Sequence, residues 1–255
     1  GYTLDTIIDR PTALTMQSPS SSLGNDSTPI INVDGVGNGD TVRVYTDASC
    51  TTLRGTATSS GTNVDVTVTV ALPSDGAYTF YANRTDSGGY DSPCSTVNVA
   101  YTLETIAPGA PTAATIASVW TQDVSVAPNF SWTAFAPPTA DLSHYEVGIG
   151  TTSGAVDEVN WTNIGNNLDY DFTGLTLNEC SVDDYYPTVR AVDNAGNTSN
   201  EVVSSSFQFN GVTTINDLVI VSTLSNQVQA NWSTPTNNGA STLNDYLIEY
   251  KESAS

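Results

Sequence analysis

The segment Val64-Asp65-Val66-Thr67-Val68-Thr69-Val70 carries a valine at every second position. A helix would scatter these valines around its circumference. An extended strand sends all of them to one side and Asp65, Thr67 and Thr69 to the other. Such a ribbon must bury its valine side against a second layer, which commits the chain to packed β-sheets. The same alternation recurs in Asp40–Tyr45, Ala77–Ala82 and Thr96–Ala100, with shorter candidates at Thr12–Met16 and Pro29–Val33. Turn-forming clusters separate them: Asp34-Gly35, Gly37-Asn38-Gly39-Asp40 and Asp75-Gly76.

Further strands are expected at Phe130–Ala134, His144–Gly150, Val159–Ile164, Asp169–Phe172, Tyr185–Val192 and Val202–Phe209. Three more are expected at Leu218–Val221, Val228–Trp232 and Tyr246–Tyr250. Thr, Val and Tyr suit a pleated, half-buried surface, while Asn, Gly, Asp and Pro suit the turns between. The chain therefore reads as all-β.

An internal repeat sets the domain count. Tyr2-Thr3-Leu4-Asp5-Thr6-Ile7 recurs as Tyr101-Thr102-Leu103-Glu104-Thr105-Ile106, and each copy runs into a proline-containing junction. A spacing of about 100 residues matches one two-sheet sandwich. The expected division is 1–9 as the end of a preceding repeat or linker, 10–106 and 107–210 as two sandwiches, and 211–255 as the first strands of an incomplete third. The short proline-bearing junctions are expected to limit bending between neighbours. The start, Gly1-Tyr2-Thr3, has no basic and apolar leader, so the chain reads as a stretch cut from a longer one.

Residues in three places resemble known families. Val228–Pro235, Asn237-Asn238-Gly239 and Tyr246–Tyr250 resemble the first half of a fibronectin type III domain, with Trp232 and Tyr246 as core residues. Region 107–210 is similar to the same superfamily. There Trp132 stands in the place of the core tryptophan, and Leu175 followed by Tyr185 resembles the tyrosine corner. Region 10–106 is similar to the immunoglobulin-like repeats of bacterial biofilm-associated surface proteins, on Asp75–Phe80 with Tyr78 and on the Tyr-Thr-Leu-Asp/Glu-Thr junctions. These resemblances imply tandem immunoglobulin-like and fibronectin type III-like β-sandwiches in an extracellular, adhesive setting.

In such a secreted setting, a disulfide between Cys50 and Cys94 is expected, the alternative being two reduced thiols. It would close a loop of about 45 residues and stabilise its domain by roughly 4 kcal/mol on the chain-entropy model. Cys180 has no partner in its own region.

Charge excludes whole classes of partner. Lys and Arg total 6 against 27 Asp and Glu, a formal net charge of −21. That field repels nucleic acid and anionic membrane surfaces. No run of about 18–20 apolar residues is present to span a membrane. His144 is the sole histidine, flanked by Ser143 and Tyr145, and no nucleophile elbow accompanies it. The carboxylates cluster in turns, as at Asp86/Asp91, Asp157/Glu158 and Asp183/Asp184, and read as solvated rather than as paired catalytic acids. Gly35-Val36-Gly37-Asn38-Gly39 is a turn with no following helix, hence no phosphate cradle. Six Asn-x-Ser/Thr sequons, at Asn25, Asn83, Asn129, Asn160, Asn197 and Asn231, are about the number that chance gives in so Asn-, Ser- and Thr-rich a chain.

Calcium is the one cofactor the acidic junctions suggest, through Asp5, Asp86, Asp91, Glu104, Asp193 and Asn197. The functional expectation is a non-enzymatic stalk or spacer of a secreted or cell-surface bacterial adhesin or fibre. Its partners would be neighbouring domains of its own chain and a surface protein or glycan. The alternative is an accessory, carbohydrate-binding region of a secreted hydrolase, for which Trp120 and Trp161 are the tryptophans not assigned to a core.

Overall fold

A computed structural model describes residues 8–121, 125–134, 141–176, 184–209, 218–224 and 227–233. The expected strand at Tyr246–Tyr250, and with it Tyr246, lies outside these residues, as do Asp5 and Cys180. All regular structure among the described residues is β. No helix there is long and apolar enough to cross a membrane. The chain divides into two compact units, Gly1–Pro108 with Asp193–Asn197, and Gly109–Val192 with Thr198–Ser255.

The first unit contains β1 (Ala13–Ser18), β2 (Leu23–Gly24), β3 (Ile30–Asp34), β4 (Thr41–Tyr45), β5 (Leu53–Thr58), β6 (Asn63–Thr67), β7 (Gly76–Thr85) and β8 (Val99–Leu103). They form a three-stranded sheet, β1-β3-β6, and a five-stranded sheet, β2-β8-β7-β4-β5. The core follows from the alternation. Leu14, Ile31, Val33 and Val66 of the first sheet meet Val42, Val44, Phe80, Ala82, Tyr101 and Leu103 of the second. In the register of β4 with β7, Val44 faces Ala82 and Val42 faces Arg84, so Arg84 lies on the core-facing side.

The valine ribbon does not stay in one sheet. β6 ends at Thr67, after which the Val68 N–H donates to Pro29, while Thr69 and Val70 donate to Arg54 of β5. The chain crosses from one sheet to the other at this point. Val68 is buried, but Val70, expected inside, is 52% exposed. The crossing requires Gly55: a Cβ there would stand 2.2 Å from the Thr67 carbonyl oxygen. The expected strand at Thr96–Ala100 is shifted to Val99–Leu103, because residues 91–96 complete β7 in another way described below.

The second unit contains β9 (Thr112–Ile116), β10 (Trp120–Thr121), β11 (Phe130–Thr133), β12 (Leu142–Gly150), β13 (Val159–Asn163), β14 (Asp169–Tyr170), β15 (Asp184–Asp193), β16 (Val202–Val203), β17 (Phe207–Phe209), β18 (Val219–Leu224) and β19 (Gln227–Asn231). One sheet runs β14-β11-β9. The other runs β10-β17-β15-β12-β13, with β16 also on β15; β18 and β19 form a separate hairpin. Aromatic rings fill this core. Trp132 packs 5.1 Å from Phe130 and 5.6 Å from Tyr145, and Tyr185 stacks on Phe207 at 5.5 Å. Such pairs add about 0.5–1.5 kcal/mol each beyond their burial. The single strand expected over Val202–Phe209 is broken into β16 and β17 at Ser204, which is 7% exposed.

Candidate functional site

Several carboxylates of the first unit hold turns. Asp47, in the β4–β5 connection, accepts the backbone N–H groups of Thr52, Thr51 and Ser49 and the Thr51 hydroxyl. These donors, that of Thr52 foremost, lower its pKa to about 2. Asp86 accepts the N–H groups of Gly88 and Tyr90. Asp91 accepts the Thr85 hydroxyl and lies 3.8 Å from Arg43 Nη1. Asp26 holds Thr28 in the same manner. In the second unit, the hydroxyl and N–H of Thr151 lower the pKa of Asp157.

Among the described residues one ion pair is buried. Arg84 Nη1 lies 2.7 Å from Asp40 Oδ2, with the two side chains 16% and 5% exposed. Asp40 Oδ2 also accepts the Gly37 N–H, and Arg84 Nε donates to the Asp9 carbonyl. The pair closes one end of the core beside Val42.

Cys50 and Cys94 form a disulfide, with Cα atoms 5.7 Å apart. It joins the Asp47–Thr52 turn to a segment that serves as the second edge of β7. Ser92 and Ser95 flank Cys94 in that segment and are buried. The N–H groups of Ser92 and Ser95 donate to the carbonyls of Arg84 and Ala82. In return, their hydroxyls accept the Arg84 and Ala82 N–H groups at 3.0 Å each. The second unit repeats the device on β15: Ser199 N–H donates to the Ala191 carbonyl, and its hydroxyl accepts the Ala191 N–H. Ser204 donates to the carbonyl of Pro187, which has no N–H to return. Sequence reasoning passed over these serines because polar residues between strands read as loop.

The residues expected to hold calcium are only partly assembled. Within the first unit, Asn197 Nδ2 lies 2.9 Å from the Glu104 carbonyl oxygen and 3.0 Å from both Glu104 Oε2 and Asp193 Oδ2. Asp193 Oδ1 accepts the Ala195 and Asn197 N–H groups, which shapes the turn. Burial first, then the Asp193 carboxylate, raises the pKa of Glu104. Asp86 and Asp91 serve their own loop instead. Two carboxylates facing an amide nitrogen supply fewer oxygens than the six to eight calcium takes. Among the described residues no group of three or more His, Cys, Asp and Glu gathers to hold a metal.

On β12, His144 Nδ1 stands 3.1 Å from Ser143 Oγ, and Nε2 stands 3.6 Å from Glu146 Oε1. The order Ser–His–Glu evokes a hydrolytic triad, but 3.6 Å is not a hydrogen bond. Glu146 is committed elsewhere: Arg190 Nε and Nη2 both lie 2.7 Å from its Oε2. Arg190 also covers Trp161, 4.1 Å from the ring centroid. The expected core residues Trp132 and Tyr185 are buried, at 5% and 2%. Tyr78 and Trp232 are half-buried, and the Tyr78 hydroxyl donates to the Ser74 carbonyl.

No family model and no curated protein matches this chain. Among solved structures it is similar to the FN1–FN3 domains of chicken CNTN1, at 14% identity and a TM-score of 0.47, covering 77% of this chain. It spans 66% of that chain, just under two thirds of its length. It is also similar to the fibronectin(III)-like modules of Clostridium thermocellum CbhA, at 13% identity and a TM-score of 0.44, covering 77% of this chain and 94% of that one.

Proposed function

We propose that this chain is a non-catalytic stalk or spacer of a secreted or cell-surface bacterial protein of adhesin or fibre type. The observation that carries this reading is how the polar side chains are employed. Asp26, Asp47, Asp86, Asp157 and Asp193 tie turns, Arg84 and Arg190 are paired with carboxylates, and two β-units each bury a core of their own. Sandwiches with separate cores add length without a reactive centre. The disulfide supports an oxidising, extracellular location.

The test is to assay the purified chain against chromogenic glycosides and esters and on a glycan array. No turnover and no retained glycan are expected. Turnover abolished by Glu146→Gln or Ser143→Ala would overturn the reading. The alternative, an accessory region of a secreted hydrolase that binds carbohydrate, draws on the half-buried Trp161 on the β13 edge strand. Retention of a glycan, lost in Trp161→Ala, would establish that reading instead. Calcium binding, if it belongs to the stalk, needs backbone carbonyls beside Glu104 and Asp193. A higher melting temperature in millimolar calcium than in chelator supports it, and identical melts refute it.

A further inference from the structure

The segment Asp91–Thr96 occupies the second edge of β7 over residues 81–85, where β8 no longer pairs; β8 meets β7 only from Gly76 to Phe80. An ordinary strand would be held there by aliphatic side chains driven into the core. This one reads Asp-Ser-Pro-Cys-Ser-Thr, with the first, third and sixth residues exposed and the two serines buried. Its attachments are the four serine bonds to Ala82 and Arg84, the Thr85–Asp91 contact, the exposed Asp91–Arg43 ion pair at 3.8 Å and the Cys50–Cys94 bond. Hydrogen bonds exchanged with water contribute little net attachment, whereas apolar burial, the usual anchor, is missing here. The disulfide sits between the two serines, at the middle of the segment, and both of its cysteines are only half-buried.

We propose that the Cys50–Cys94 disulfide is a redox latch on the Asp91–Thr96 strap, and that its reduction lets the strap lift and uncovers the edge of β7 at Ala82 and Arg84. The reductant is a dithiol. One of its thiolates attacks a cysteine sulfur, forming a mixed disulfide and releasing the other cysteine. Its second thiol then resolves the mixed disulfide. Two electrons and two protons pass to Cys50 and Cys94, which become thiols, while the dithiol becomes a disulfide. The remaining sandwich keeps its core, because none of its buried aliphatic or aromatic side chains comes from the strap. The uncovered edge offers unpaired N–H and C=O groups to solvent or to another strand.

Amide hydrogen exchange on the full chain, with and without dithiothreitol, tests this. The readout is the exchange rate of the Ala82 and Arg84 amides relative to those of Val68 and Leu72, which donate to Pro29 and Ser27 away from the strap. Taking the ratio removes any change in global stability. Reduction is expected to raise it about tenfold or more, the signature of a sub-global opening. An unchanged ratio overturns the proposal. The oxidised Ser92→Ala/Ser95→Ala variant is the second arm. It lacks the two hydroxyl acceptors, so its ratio is expected to be high already and to gain little on reduction. A full further gain on reduction in that variant would show that the strap is not what protects these amides, and would equally overturn the proposal.

Discussion

Arg84 lies on the core-facing side of β7, opposite Val42, with its guanidinium on the almost fully buried Asp40. Replacing it with methionine keeps the aliphatic length and removes the charge. Asp40 is then left with the Gly37 N–H and no counter-charge. Breaking a buried pair from one side costs about 3–5 kcal/mol. The 16% exposure of Arg84 puts the expected loss at the lower end, about 3 kcal/mol. A domain of this size loses about 4–8 °C per kcal/mol, so its melting temperature should fall by roughly 12–24 °C. The chain contains its own control. Its four tryptophans, at 120, 132, 161 and 232, all belong to the second unit. Urea unfolding followed by tryptophan fluorescence should therefore be unchanged in Arg84→Met, while the circular dichroism transition of the first unit moves to lower urea. Asp40→Asn should cost less, since an amide is cheaper to bury than a charge. The double variant should recover part of the loss, with a coupling of about 1–3 kcal/mol. A cycle with coupling below about 0.5 kcal/mol, the range of surface pairs, would refute the reasoning.

Three further outcomes are expected. Replacing both Cys50 and Cys94 by serine, which removes a link across 44 residues, should lower first-unit stability by about 4 kcal/mol in urea titration. Asp47 titrates at about 2 in the folded protein, below its unfolded value. Its contribution is complete above the ordinary carboxylate range and is lost as pH falls through that value. Asp47→Ala should flatten this acid dependence, and a side-chain carbon NMR titration showing Asp47 near the ordinary carboxylate value would contradict the assignment. Glu104 is shifted the other way, so the native state holds its proton more tightly and stability falls as pH rises through the window above the ordinary glutamate value. Glu104→Gln should therefore raise the neutral-pH melting temperature slightly. The gain should vanish in acid, and a gain independent of pH would contradict it.

Alternation made much of the fold legible. Val42 and Val44, Phe80 and Ala82, and Val189 and Ala191 all sit in the core at period 2. Three local features escaped this reading for distinct physical reasons. β5 places Gly55 and Ala57 inward, so its core face lacks the bulk by which strands are recognised. The valine ribbon leaves its sheet after Thr67, a crossing set by the backbone contact with Gly55 that no side-chain pattern records. The shift of β8 comes from Ser92 and Ser95, whose hydroxyls accept where a strand's carbonyls would, and the break at Ser204 falls where β15 carries Pro187, which has no N–H to return. Of the loop residues, the acidic junctions drew attention to Glu104 and to the Asp193–Asn197 turn, and these three side chains do converge. Asp86 and Asp91 do not join them, because each is engaged by its own loop. The partnership of Arg84 with Asp40 joins residues 44 positions apart, and nothing in either neighbourhood signals it.

The serine-finished edges matter wherever many copies of such a chain stand side by side. A greasy border strand invites a neighbour to zip onto it, and crowding worsens the risk. Where β7 and β15 run past their neighbours, small hydroxyls bound in place take the Ala82, Arg84 and Ala191 N–H groups, so an approaching ribbon finds those donors already engaged. Proline can then stand at Pro93, where a regular strand would exclude it. Three backbone donors that a stray strand could have captured are thereby spoken for.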